Sequence, residues 1–144
     1  MPNTSPLVHV ATVCELALVE QDNVLSAIRM VDVFYITASA GAPVQLPPVF
    51  DVTLLVALKS GDVTGERFIR IVFRRPNGET AEVYRGIRSF RGGEHGTNIV
   101  LKTAVETREF GLYWFDVMEA DNVLTSIPFR LAPGPPPPRH QPMP

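Results

Sequence analysis

Cysteine and histidine are scarce in this chain, and their scarcity limits the chemistry that the sequence can support. Cys14 is the only cysteine, so no disulfide can form within the chain, which fits a reducing, cytoplasmic compartment. His9, His95 and His140 are scattered and show no spacing typical of metal ligands. We therefore expect no internal disulfide, no metal site and no cofactor.

Long hydrophobic runs are also missing. No apolar stretch approaches the roughly 20 residues that a membrane-spanning helix needs. The first 21 residues lack a basic segment, and polar side chains interrupt their apolar positions, so they do not resemble a signal peptide. These absences predict a cytoplasmic protein without a membrane partner.

Net charge is small, at −2, but the charges are unevenly distributed. Residues 1–58 carry one basic side chain and five acidic ones, whereas residues 59–91 carry one lysine and seven arginines against four acids. The basic segment could attract an anion, yet the acidic molecule as a whole has no electrostatic attraction for nucleic acid. We therefore expect no nucleic-acid partner.

Alternation of apolar and polar residues is the dominant pattern and predicts β-strands. It is clear in "VFDVTLLVALK" and in "RFIRIVFRR", where Ile69, Ile71 and Phe73 share one face. "PNG" at 76–78 is a strong turn signal, and "ETAEVYRGI" follows it as a returning strand. This part of the chain is predicted to be a β-hairpin.

Two further hairpins are indicated near the ends. "FGLYWFDVM" and "VLTSIPFRL" flank "EADN", and Pro128 places the second of these strands along a sheet edge because proline cannot donate to a ladder. "LVHVATVCELALV" and "VLSAIRMVDVFYITA" flank "EQDN" in the same way. Residues 13–20 could alternatively form a short helix, since Val13, Leu16 and Ala17 have helical spacing.

About eight strands with no convincing long helix predict an all-β fold, an antiparallel β-sandwich of immunoglobulin-like or jelly-roll type, or a barrel. We assign residues 1–131 to this domain. Residues 132–144, "APGPPPPRHQPMP", contain seven of the fourteen prolines and are predicted to be a flexible tail. The tail is interpreted as a spacer, with a ligand for aromatic-grooved domains as the alternative.

"YRGIRSFRGGEHG", at 84–96, is the one stretch that could pass for a reactive loop. A phosphate-binding glycine loop needs a helix N-terminus after it, but here "TNIVLKT" follows, which is typical of a strand. Its glycine spacing fits neither nucleotide fingerprint. We interpret it as a corner between two strands, with glycines chosen for positive φ.

The arginines are the second candidate feature. Arg70, Arg74, Arg85, Arg88 and Arg91, with His95, are the weak candidates for anion contact. Arginines opposite an apolar face are normal for a half-solvated sheet, so a solvated surface is the favoured interpretation.

The segment "FGLYWFDVM" departs from simple alternation because both of its faces are apolar. Leu112, Trp114 and Met118 lie on the face that should be polar. They are our candidates for protein contact, with cover by the protein's own loops or tail as the alternative.

Catalytic groups are not evident. A Cys14–His95 nucleophilic pair can be imagined, but Cys14 lies in an apolar segment, where cysteine usually behaves as a small buried hydrophobe. Glu119 and Asp121 flank a hairpin turn, where acidic residues are common. We name no catalytic residue and expect no enzyme.

Two segments, "CELALVEQDNVLSAIRMVDVFYI" and "FGLYWFDVMEADNVLTSIPFRLA", resemble small, mostly bacterial proteins of a family of unknown function. The matching positions are Cys14, Glu15, Leu25, Ser26, Gly111, Tyr113, Phe115, Val117, Pro128 and Arg130. The resemblance implies a compact β-sandwich and no established activity. Such relatives tend to have polar residues where this chain has Leu112 and Trp114.

Together these patterns predict a non-catalytic module that binds another protein or itself. The alternative is an anion- or nucleic-acid-binding β module that uses the arginine-rich segment 67–91.

Overall fold

The computed structural model describes residues 5–21, 24–38, 41–135 and 138. In these ranges the chain is all β, as predicted, with seven strands and no helix. The strands are β1 (Leu7–Val19), β2 (Leu25–Met30), β3 (Val33–Ile36), β4 (Val49–Arg74), β5 (Thr80–Glu106), β6 (Gly111–Glu119) and β7 (Asn122–Pro133). A helix able to cross a membrane is not found among the described residues.

The long hairpin of β4 and β5 connects the two layers of the fold, because it runs through both parts of one seven-stranded sheet. The first half of β4 pairs with β1, and its second half pairs with β6. β5 stays beside β4 along nearly its whole length. One layer therefore has the order β2-β1-β4-β5, and the other has the order β5-β4-β6-β7-β3.

The two layers pack face to face around one core. Phe34 of β3 contacts Phe50 of β4 with ring centroids 4.9 Å apart, although these strands are not hydrogen-bonded neighbours. Buried residues from both layers belong to the same cluster: Val13, Val52, Leu54, Val56, Leu58, Ile69, Ile71, Phe73, Ile99, Tyr113, Phe115, Val117 and Phe129 among them. The arrangement is the β-sandwich that the alternation predicted.

Four aromatic rings fill the centre of the second layer. Phe73, Tyr113, Phe115 and Phe129 are fully buried, and Phe73 lies nearly parallel to Tyr113 at 5.4 Å. The Tyr113 hydroxyl donates to the Glu109 carbonyl at 2.6 Å, so the one polar atom of the stack is satisfied. Burial raises the pKa of this phenol above its ordinary value. Each such ring contributes on the order of 2–3 kcal/mol of transfer free energy.

The segment 84–96 bends as predicted, but it belongs to β5 and stays hydrogen-bonded to β4 on both sides of the bend. Register shifts occur between Lys59 and Gly61 and between Gly61 and Thr64, where the ribbon passes from one layer to the other. Gly93, opposite Gly61, has φ of +64°. At Gly96 a Cβ would lie 1.9 Å from the Leu58 carbonyl oxygen, so glycine is required there for close backbone approach.

The strand count is seven because the boundaries differ from those expected. The expected pairs of strands in 49–75 and in 79–105 are continuous as β4 and β5. The expected strand over 24–38 divides into β2, in the first layer, and β3, in the second. Arg29 has φ of +53°, and the chain leaves the first layer soon after it. The alternative helix at 13–20 is wrong, because residues up to Val19 belong to β1.

The last strand is covered for part of its length. β3 pairs with Arg130–Pro133 of β7 in parallel, so this part is not an edge. Pro128 precedes the covered part, and the edge prediction holds there. β7 ends at Pro133, two residues beyond the predicted domain boundary. Of the predicted tail, positions 136, 137 and 139–144 lie outside the described residues.

Candidate functional site

The predicted contact residues Leu112, Trp114 and Met118 share the outer face of β6 and are half-buried. Trp114 is covered by the Arg74 guanidinium, which lies 5.3 Å from the ring centroid. This cover comes from the neighbouring strand β4, where Arg74 is the register partner of Trp114. Among the described residues, the cover of Trp114 is thus an arginine of the same sheet. A role for these residues in protein contact stays a prediction.

Arg74 is held in place over Trp114 by Asp116. Its Nε and Nη2 atoms each donate to one carboxylate oxygen of Asp116 at 3.1 Å, and Ser126 donates to the same carboxylate at 2.6 Å. Burial opposes ionisation of Asp116, but the hydrogen bonds from Arg74 and Ser126 outweigh it and hold the pKa below its ordinary value. The hydrogen bond to Asp116 raises the pKa of Arg74. The pair is ionised and geometrically fixed.

Arg70 and Arg85 lie on the same outer face and also contact carboxylates. Both contact Glu82, Arg70 at 3.8 Å and Arg85 through two hydrogen bonds. Arg70 further approaches Asp121 at 3.8 Å, and Arg85 lies over the Phe68 ring at 5.9 Å. Their charges are thus offset by carboxylates of β5 and of the β6–β7 turn.

The remaining candidates for anion contact lie elsewhere. Arg88, on the opposite face of β5 from Arg85, donates to the Tyr84 hydroxyl at 2.9 Å. Arg91 and His95 border a hollow of about 230 Å³ at the corner. The six predicted residues therefore form no single surface: three lie on the outer face of the second layer, one on the other face of β5 and two at the corner.

The imagined Cys14–His95 pair is not brought together. Cys14 pairs with Thr53 and Gly96 pairs with Lys59, so six residues of strand, about 20 Å, separate the two side chains. Cys14 is buried, and burial raises the pKa of its thiol, which disfavours the nucleophilic thiolate. Among the residues that the structure describes, no three His, Cys, Asp or Glu side chains could share a metal ion. His140 lies outside those residues.

The two carboxylates beside the β6–β7 turn, Glu119 and Asp121, differ in burial and in their contacts. Glu119 is buried and accepts a hydrogen bond from Arg67 at 2.8 Å, whereas the side chain of Asp121 is fully exposed in the turn. The geometry assigns Glu119 to an ion pair between β4 and β6.

The surface that sequence reasoning missed is the hairpin of β1 and β2. Of fifteen large hydrophobic side chains that are exposed within the described ranges, nine lie between residues 7 and 30: Leu7, Val8, Val10, Leu16, Leu18, Val19, Val24, Ile28 and Met30. A signal was present, because "ELALV" is apolar at both parities, as "FGLYWF" is. The concentration of exposed apolar side chains makes this hairpin the main candidate for a contact surface.

The hairpin is apolar on both faces. Cross-strand partners Ala17 and Ala27 face the sandwich, where Leu25 packs with them against Leu55 and Cys14. This cover leaves Leu55, on the outer face of β4, only 4% exposed. On the other face, Leu16 and Ile28 are also cross-strand partners, and Leu18 follows two residues on. These three residues are called the hairpin surface below.

Acidic side chains border the hairpin surface. Glu15 lies 3.5 Å from Arg29, in an exposed contact, and Glu20 accepts a hydrogen bond from Ser26 at 3.3 Å. The hairpin surface is therefore a row of aliphatic side chains with charges at its two ends and none in its middle, which is the composition of a protein interface.

Comparisons with known proteins add little to this geometry. No family model and no curated protein matches the chain. It is similar in part to the structure of beta-glucosidase 3B from Thermotoga neapolitana in complex with glucose, with a TM-score of 0.46 and 13% identity over 57% of this chain. Corresponding values are 0.41, 14% and 67% for a beta-glucosidase from Kluyveromyces marxianus, and 0.43, 10% and 68% for one from Listeria innocua in complex with glucose. The chain covers 14% of each of these enzymes, and a likeness this weak carries no inference about activity.

Proposed function

We propose that the chain is a non-catalytic module that binds protein through the hairpin surface. The observation that carries the proposal is the exposure of this row of side chains: Leu16, Leu18 and Ile28 are 37%, 40% and 42% exposed on one face of one hairpin. Each Å² of apolar surface that a partner removes from water contributes about 25 cal/mol. A contiguous aliphatic row is therefore a ready source of binding free energy.

The charges around the hairpin favour a protein partner over nucleic acid. Residues 1–58 carry five acids and one arginine, so this half of the chain repels phosphate. In the basic segment, Arg67, Arg70, Arg74, Arg75 and Arg85 all lie within ion-pair distance of carboxylates of the same chain. Their positive charge is largely offset before any ligand arrives, which weakens the alternative of an anion-binding module.

Ile28→Glu tests the proposal by placing a carboxylate in the middle of the hairpin surface. Val123→Glu is the matched control, because Val123 is 55% exposed on β7, outside that surface. We expect the purified protein, or its complex with a purified partner, to lose association with Ile28→Glu and to keep it with Val123→Glu. The measurement is solution mass by light scattering, with circular dichroism to verify folding.

Salt dependence and a third variant complete the test. Association through aliphatic side chains should persist from about 50 mM to about 500 mM salt, whereas charge-led binding should weaken steeply. Trp114→Glu examines Leu112, Trp114 and Met118 in the same assay. Loss of binding with Trp114→Glu but not with Ile28→Glu would move the contact surface to the second layer and overturn the proposal.

A further inference from the structure

β2 is an edge strand whose outer backbone groups face away from the sheet. The Glu20 N–H donates to the Val24 carbonyl at 2.9 Å, which fixes the hydrogen-bond alternation of the β1–β2 ladder. Ser26 and Ile28 then bond to β1, and the backbone groups of Leu25 and Ala27 point outward. Within the described ranges no strand lies on that side of β2. Such an edge is a template for a further strand.

Opposite charges mark the two ends of this edge. Glu20 lies beside Ser26 near the start of β2, and Arg29 lies near its end. Arg29 also contacts Glu15, but its side chain remains 66% exposed and can reach a second partner. Between the two charges, Leu25, Ala27 and Ile28 are apolar, and β2 holds neither proline nor lysine to block pairing.

We propose that the occupant of this edge is a second copy of the chain, with β2 paired antiparallel to β2 about a two-fold axis; this inference rests on the proposed function. Antiparallel pairing brings the Glu20 end of one strand beside the Arg29 end of the other, twice by symmetry. Parallel pairing would instead place like charges together. Charge complementarity therefore selects the antiparallel arrangement.

The hydrogen-bond alternation also restricts the register. Outward-facing residues must pair with outward-facing residues, and centring the two-fold axis on β2 then places Ala27 opposite Ala27 of the second copy. Leu25 then lies opposite Arg29, and Ile28 lies opposite Ser26. The two hairpin surfaces become one continuous aliphatic row across the joined sheets, so their burial adds to the backbone bonds.

Ala27→Pro tests the edge directly. Proline removes an outward N–H that β1 does not use, so the fold should survive while pairing is lost. Ala27→Ser is the matched control, because it keeps the N–H. By sedimentation velocity, we expect wild type and Ala27→Ser to dimerise with rising concentration and Ala27→Pro to remain monomeric, with unchanged circular dichroism. A wild-type protein that stays monomeric at every concentration would overturn the inference.

Charge reversal tests the antiparallel arrangement. Glu20→Arg and Arg29→Glu should each weaken dimerisation by about tenfold, because each places like charges together at both ends of the axis. An equal mixture of the two variants should form mixed dimers at wild-type strength, since every contact is again between opposite charges. If Ala27→Pro abolishes the dimer but the mixture fails to recover it, the antiparallel register is wrong.

The two proposals can fail separately. A monomeric wild type whose complex with a purified partner is lost in Ile28→Glu retains the proposed function and overturns the dimer. A protein in which Ile28→Glu alters neither mass nor any complex overturns both.

Discussion

The outer faces of both layers carry apolar side chains, but these side chains are covered in different ways. On the second layer, Arg74 lies over Trp114 and Arg85 lies over Phe68, and carboxylates of the same sheet hold both guanidinium groups. On the first layer, the β1–β2 hairpin packs its inner face on Leu55 and leaves its outer face aliphatic and exposed. On the second layer, salt-bridged arginines cover the apolar rings. On the first layer, the hairpin covers Leu55 but exposes aliphatic side chains of its own.

The difference is chemical. An aromatic ring attracts a cation through its electron-rich face, so a neighbouring arginine can cover it and gain energy. An aliphatic side chain offers no such attraction, and it can be removed from water only by other apolar groups. An apolar residue on an outer strand face is therefore evidence of a contact surface chiefly when it is aliphatic and no arginine is its cross-strand neighbour.

The largest expected effect separates the two sides of the hairpin. Leu55→Ala should destabilise the fold by about 2–5 kcal/mol, because it leaves a cavity beneath β1 and β2. Leu18→Ala, on the exposed side, should cost less than about 1 kcal/mol. Denaturant unfolding of the two variants measures the difference. Equal losses would mean that the hairpin surface is packed and not exposed.

A smaller effect is expected from uncovering the second layer. Arg74→Ala removes the cover of Trp114 and leaves the Asp116 carboxylate with Ser126 alone, which should cost about 1–2 kcal/mol after allowance for the partial exposure of Arg74. Trp114 is the only tryptophan, so its fluorescence emission should shift to the red. Arg74→Lys keeps the charge and should shift it less. An unchanged spectrum in Arg74→Ala would show that another group covers the ring.

The smallest effect depends on pH. The folded-state pKa of Asp116 is lowered, so its ionised form stabilises the fold, and this contribution is complete above the unfolded-state pKa of about 3.9. It is lost as pH falls through the lower folded-state pKa. Asp116→Asn should therefore be less stable than wild type at pH 7, by about 1 kcal/mol, and the gap should close in acid. A gap that is constant from pH 7 down to about pH 2 would contradict the assignment.

The sequence was sufficient to predict the local elements. Pro76, Asn77 and Gly78 identify the turn between β4 and β5, where Gly78 has φ of +91° and donates to the Arg75 carbonyl at 2.9 Å. The alternation of Tyr113, Phe115 and Val117 correctly predicts the buried face of β6. These features depend on residues that are neighbours along one strand or turn.

Features that depend on distant strands could not be predicted. Val123 has the same parity as Ile127 along the strand, but a register shift beside Met118 leaves Val123 55% exposed. The continuity of β4 through Gly61 depends on the matching bulge at Gly93 in β5, 32 residues further along the chain. The cover of Trp114 likewise depends on the β4–β6 register, which places Arg74 beside it. That register cannot be read from the local sequence of either strand.

The uninterrupted passage of β4 and β5 from one layer into the other has a mechanical consequence. Each layer contains half of the same β4–β5 ribbon. Unfolding of one layer therefore disrupts strands that the other layer also needs. Neither layer can therefore unfold independently of the other. Thermal or mechanical failure should therefore be abrupt, with amides of β1 and of β6 losing their protection together.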